Sequence, residues 1–127
     1  MNTIRKRSSL LFLMLVTFLF TFAQNKELTI LHTSDTHSRI EPIDKNSSDK
    51  YAGMGGVARR AAYIQEKRAQ DPDLLLFDCG DFCQGTPFYN FFKGKIEVEM
   101  MNQMNYTAAT IGSQEFDFGL ENLADLI

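Results

Sequence analysis

The sequence predicts an α/β fold built on a parallel sheet, and three observations carry that prediction. Short apolar, β-branched runs alternate with stretches of helical period, the pattern of βαβ units with right-handed crossovers. Strand-like runs recur about 30 to 45 residues apart, enough for a crossover helix between each pair. Each run closes on glycine or polar residues: Asp35-Thr36-His37, Gly80-Asp81 and Gly112-Ser113-Gln114-Glu115. In open α/β sheets such positions, at the carboxyl ends of strands, are where ligands gather.

The elements follow in chain order. Arg5, Lys6 and Arg7 precede an apolar run from Leu10 to Phe22, and Ala23 then meets polar Gln24. Basic residues before a short apolar run read as a secretory signal peptide over 1–23. The run is short for a membrane-spanning helix, which needs roughly 20 residues. The expectation is therefore export, periplasmic or extracellular, with no stable membrane anchor after cleavage. The mature part, 24–127, is one domain or less, and Leu123 to Ile127 read as the start of a helix, so the chain is expected to be the N-terminal part of a domain.

Glu27 to Ser34 alternates Leu28, Ile30 and His32 with Thr29, Leu31 and Thr33, both sets largely apolar or β-branched, as for a strand covered on both faces. His32 has the opposite parity to Asp35 and His37 and reads as a packed strand residue. Arg39 to Tyr51 is polar, contains Pro42, and is a surface loop. Gly55-Gly56 opens an amphipathic helix with Val57, Ala58, Ala61 and Ile64 on one side and Arg59, Arg60, Lys67 and Arg68 on a solvated other side, ending before Pro72. Leu74 to Phe77 is a short buried strand. Phe88, Tyr89, Phe91 and Phe92 read as core, and Phe92, Ile96, Met100 and Met104 recur every four residues in a second helix, most secure over Lys95 to Gln103. Thr107 to Ile111 makes the third strand.

Charge and cysteine content narrow the function classes. Without residues 1–23 the chain has ten basic and sixteen acidic residues, a net charge of −6. An acidic surface argues against nucleic acid as a bulk partner, while leaving phosphoryl chemistry open, because bound divalent ions dominate the field of their own site. Cys79 and Cys83 read as buried free thiols, since a disulfide across so tight a ring would distort the strand end. Gly53-Met54-Gly55-Gly56-Val57-Ala58 is not a dinucleotide fingerprint, because a polar loop and not a strand precedes it.

The three strand ends suggest a metal site. Asp35 and His37 share parity and can address one ion, Asp81 can bridge to a second, and the residue after Gly112 would address that second ion. Taken singly, Asp-x-His is common and Gly-Asp is ordinary turn chemistry. It is their joint placement at successive strand ends that carries the reading.

From Leu28 to Leu120 these residues resemble the calcineurin-like metallophosphoesterases, specifically the secreted 5′-nucleotidase branch. The resemblance runs through Ile30-Leu31-His32-Thr33-Ser34-Asp35-Thr36-His37, Gly55-Gly56-Val57-Ala58, Asp78-Cys79-Gly80-Asp81, Gln84-Gly85-Thr86-Pro87 and Glu115-Phe116-Asp117-Phe118-Gly119. It implies a metallophosphoesterase-type layered βαβ sandwich, of which this chain is the N-terminal portion. It also implies two divalent ions, such as Zn, Mn or Mg, and hydrolysis of nucleotide or other phosphomonoesters by a metal-activated water. By the resemblance Asp35 and His37 look like ligands of the first ion, Asp81 like the bridging carboxylate, and Asp117 like the acidic partner of a catalytic histidine.

Where the family has Gly-Asn-His-Glu, this chain has Gly112-Ser113-Gln114-Glu115. Ser113, at the asparagine position, is a shorter and poorer neutral ligand, and Gln114, at the histidine position, cannot supply an imidazolium's charge. The family takes further histidine ligands from a later region, and only His32 and His37 are present here. The expected function is a metal-dependent phosphoesterase of 5′-nucleotidase type. The alternative is a non-catalytic remnant with partial metal binding at most, and it is physically favoured for this polypeptide alone.

Overall fold

The computed structural model describes residues 26–127, with Arg7 and Phe12 ahead of them; the expected signal segment, 1–23, lies outside the continuously described residues. A three-stranded parallel sheet forms in the order β1-β2-β3, from β1 (Ile30–Thr33), β2 (Leu75–Asp78) and β3 (Ala108–Ala109). Helix α1 (Val57–Gln70) joins β1 to β2, and α2 (Pro87–Phe92) and α3 (Lys95–Gln103) join β2 to β3. A 3₁₀ turn (Gln114–Phe116) and α4 (Gly119–Leu126) follow, so the last helix starts earlier than Leu123.

Register sets the site. Thr33 lies opposite Asp78, and Asp78 opposite Ala109, so all three strands end at one edge. Pairing continues past them: the Cys79 amide donates to the Thr33 carbonyl at 2.8 Å, Thr107 to Leu76 at 2.7 Å and Thr110 to Asp78 at 2.9 Å. The third strand is therefore shorter than the expected 107–111 but keeps its direction.

Two apolar clusters hold this frame. Ile64, Leu74, Leu76 and Met104 form one, flanked by Leu31, Val57 and Ala61, and bind α1 and the end of α3 to the sheet. Phe82, Cys83, Tyr89 and Met101 form the other, beyond the carboxyl edge. Tyr106 packs against both. Burying a large apolar side chain contributes about 1.5–3 kcal/mol each, which makes Leu76, at 1% exposure, a principal anchor.

Several expectations are corrected. The first strand is covered on one face only: Leu31 and Thr33 are half-buried while Leu28, Ile30 and His32 are exposed, because the cluster reaches only the Leu31/Leu76 side. His32 is thus an exposed residue, not a packed one. The second helix does not run through from Phe92, because Lys93 and Gly94 both adopt positive φ (52° and 95°) and break it. The break rotates the stripe, so that Glu97, Met101 and Met104 are buried while Phe91 and Phe92 are exposed; of the four aromatics, Tyr89 alone is fully buried. On α1, Ala58 is exposed. The basic side is also not uniformly solvated. Arg68 is half-buried and donates to the carbonyls of Leu74 (3.1 Å) and Asn105 (2.6 Å), tying α1 to the segments around it.

Candidate metal-binding edge

The loop after β1 lies along the loop after β2 as an irregular continuation of the ladder. Asp35 donates its amide to the Gly80 carbonyl at 3.1 Å, His37 to Asp81 at 3.2 Å, and Ser38 to Phe82 at 2.8 Å. These bonds require the chain to turn sharply at each strand end, and Asp35, His37 and Asp81 accordingly hold φ of 52°, 47° and 54°. Non-glycine residues enter that left-handed region at a cost of about 1–2 kcal/mol each, and residues held there cluster at functional sites.

Buried polar contacts brace both loops. Ser38, 1% exposed, donates its hydroxyl to the Glu97 carboxylate on α3, and Thr86 donates to the Ser38 carbonyl at 2.8 Å. At the end of β2, Asp78 is 2% exposed, accepts from the Thr33 hydroxyl at 2.5 Å and takes the Gly80 amide at 2.8 Å. Burial pushes the Asp78 carboxyl above its ordinary value of 3.8, against the lowering effect of the Thr33 and Gly80 bonds and the charge of Arg60.

The third loop meets the second almost without clearance. A methyl group on Gly112 would overlap Asp81 Oδ1 and lie 2.7 Å from the Asp81 nitrogen. In return, Asp81 Oδ1 accepts the Gln114 amide at 3.1 Å and sits 3.4 Å from the Ser113 hydroxyl. Three strand ends therefore converge as predicted, and Asp35, His37, Asp81 and Ser113 occupy one edge.

The side chains stop short of the implied two-ion centre. Among the described residues, no three His, Cys, Asp or Glu side chains converge closely enough to hold an ion. Asp35 and His37 approach each other, with Nε2 and Oδ1 3.9 Å apart. A tetrahedral pair with metal bonds of about 2.1 Å would stand about 3.4 Å apart, so a small closure would let the two share one ion. Asp81 Oδ1 is taken up by the Gln114 amide and lies near the Ser113 hydroxyl, which leaves Oδ2 as the arm without a hydrogen bond among the described residues. The donors present suit one ion with few protein ligands, and they do not fit two.

The position of the expected catalytic pair differs from the implied one as well. Gln114 Oε1 is buried without a hydrogen-bond partner, while the Gln114 carbonyl accepts from Tyr89 Oη at 3.0 Å. Asp117 is exposed and meets Gln114 through its backbone amide at 3.2 Å; no hydrogen bond joins their side chains among the described residues. A neutral amide cannot present an imidazolium's charge to a phosphoryl group at the edge.

Two groups were not assigned roles from sequence. Glu115 is 0% exposed and accepts amides from Asp81, Cys83 and Gly112. Only its place beside three successive polar strand ends could have flagged it. Arg60, read as solvated, instead joins Asp35, His37, Arg39 and Gly56 in lining a cleft of about 340 Å³. Helical spacing did place Arg60 one turn before Ile64, close to the buried side. The cysteines are free, as expected, but Cys79 is exposed and only Cys83 is buried. Burial, with Glu115 and Glu97 nearby, pushes the Cys83 thiol well above its usual range.

Comparison with known proteins shows the family and the fold. The profile of the calcineurin-like phosphoesterases matches residues 28–124. Snake venom 5′-nucleotidase of Crotalus adamanteus is 50% identical over 102 residues, covering 78% of this chain and 17% of that protein. Human 5′-nucleotidase is 43% identical over 102 residues, covering 78% of this chain and 18% of its own length. The crystal structure of a 5′-nucleotidase precursor from Thermus thermophilus superposes with a TM-score of 0.70 at 38% identity, over 78% of this chain and 20% of that one. The chain thus spans about a fifth of the length of these relatives.

Proposed function

We propose, from the premise that this chain belongs to the calcineurin-like phosphoesterase family, that it is the ligand-bearing first part of a 5′-nucleotidase-type phosphoesterase domain. The reading assigns Asp35, His37 and Asp81 to divalent-ion binding and the edge above them to a nucleotide phosphomonoester. The observation that carries it is the backbone pairing of Asp35 with Gly80 and His37 with Asp81, which puts two carboxylates and an imidazole on one sheet edge. In that family the ions supply water activation and charge neutralisation; this chain's own residues hold and orient. Arg39 and Arg60 add positive charge to the adjoining cleft, which suits an anionic substrate, while the acidic net charge of the chain argues against nucleic acid as a bulk partner.

For this polypeptide alone the reading is one weakly held ion and no turnover. Ser113 and Gln114 stand where the family uses an asparagine and a histidine, and the Gln114 side-chain oxygen is buried without a hydrogen-bond partner among the described residues. Export through the 1–23 signal segment belongs to the same proposal, supported by similarity to a venom enzyme. The purified chain with Mn²⁺ or Zn²⁺ is expected to release negligible phosphate from AMP or p-nitrophenyl phosphate. Robust turnover abolished by Asp81→Ala would overturn the non-catalytic part of the proposal. Absence of Mn²⁺ uptake at equilibrium would overturn the metal assignment.

A further inference from the structure

Resting on that reading of the edge, we infer that Glu115 is a positioning residue that sets Asp81 in register with the third loop. Its carboxylate is fully buried, yet no ion pair involves it among the described residues. Three backbone amides donate to it, and the Cys83 thiol lies beside it. Oε1 accepts from Cys83 at 2.9 Å, and Oε2 accepts from Asp81 at 3.1 Å and from Gly112 at 2.7 Å. A carboxylate is the one side chain that offers acceptors on both arms and no donor, which is what three converging N–H groups require. Bonds from an amide to a charged acceptor are also the strong ones.

The three donors belong to two separate loops, so the carboxylate acts as a staple between them. Asp81 holds its positive φ of 54° while its own amide is bound to Glu115. On the facing loop the Gly112 amide is bound to the same oxygen, and the following Gln114 amide reaches Asp81 Oδ1 at 3.1 Å. Glu115 thereby fixes both the backbone that carries the Asp81 carboxylate and the loop that orients it. The staple is independent of the Ser113 and Gln114 side chains, and it keeps the third loop in place although both of those residues depart from the family pattern.

Glu115→Gln preserves size but places an NH₂ group against a backbone donor, whichever way the amide is turned. In the full chain, Mn²⁺ affinity followed by electron paramagnetic resonance is expected to fall at least tenfold in this variant. Leu76→Ala, which hollows the core under β2 without touching the staple, is expected to keep the wild-type affinity in its folded fraction. A folded Glu115→Gln chain with wild-type affinity, or equal losses in both variants, would overturn the inference. Amide hydrogen exchange on the wild-type chain decides the matter if Glu115→Gln does not fold. Asp81, Cys83 and Gly112 should exchange at least a hundredfold more slowly than the exposed 45–50 loop, and exchange at loop rates overturns the staple. A wild-type chain that takes up no Mn²⁺ overturns the metal reading, and the staple is then judged by the exchange rates.

Discussion

Gly112→Ala tests the tightest of the eight glycine positions. The added carbon would overlap Asp81 Oδ1 and meet the Asp81 nitrogen at 2.7 Å. Rotation of the carboxylate relieves the first contact, but the second is to backbone, so the loops must part by about 0.3 Å or more to reach even 3.0 Å, the closest that real Cβ atoms approach. Parting strains the Gly112 amide to Glu115, now 2.7 Å, and the Gln114 amide to Asp81, now 3.1 Å. Overpacking typically costs about 1–3 kcal/mol, and weakening one hydrogen bond to a charged group adds about 1.5 kcal/mol. The expected loss is about 2.5–4.5 kcal/mol. With an m-value of about 1 kcal/mol/M for a domain of this size, the urea midpoint measured by circular dichroism should fall by roughly 2.5–4.5 M. Gly119→Ala is the control, because its φ is 85° with nothing within 4 Å of the added carbon; it carries only the left-handed penalty of about 1 kcal/mol. A Gly112→Ala chain within about 0.5 kcal/mol of wild type, or no worse than Gly119→Ala, would refute the back-to-back packing of the two loops.

Two further outcomes follow from the same geometry. Native chain treated with iodoacetamide should be alkylated at Cys79 and not at Cys83, because Cys79 is exposed while burial keeps the Cys83 thiol protonated and covered; peptide mapping that finds both labelled at similar rates would contradict this. The raised pKa of Asp78 means that the folded chain holds its proton more tightly than the unfolded chain. Its contribution to stability is therefore full below pH 3.8 and declines as pH rises through the folded value. Asp78→Asn should remove that decline, seen as a flatter urea midpoint between pH 4 and 7, and an unchanged slope would count against the assignment.

Much of this was legible because it is local. Helix α1 opens after paired glycines and stops before Pro72, and Leu74 to Phe77 reads as a strand because four apolar residues lie between turn formers. The placement of Asp35, His37 and Asp81 at one sheet edge was legible for a similar reason: a polar residue at a strand end has a known address in a parallel sheet. The misreadings arise where one residue's role depends on what packs against it. Phe92 fits a four-residue stripe, but positive φ at Lys93 and Gly94 starts a new helix with a different phase. His32 alternates like a core residue, yet its face of β1 has no described element over it.

The sequence by itself determined the α/β class, the order of strands and helices and the three polar strand ends, since these rest on periodicity and on the conformational limits of glycine and proline. Tertiary structure alone decided how those ends meet. Glu115 became a staple only when two loops brought three amides to one buried carboxylate. Asp81 Oδ1 was engaged by the Gln114 amide and the Ser113 hydroxyl through contacts between residues more than 30 positions apart. Spacing along a chain specifies which way a side chain leaves its strand, whereas ligand convergence depends on distances of a few tenths of an ångström that only packing sets.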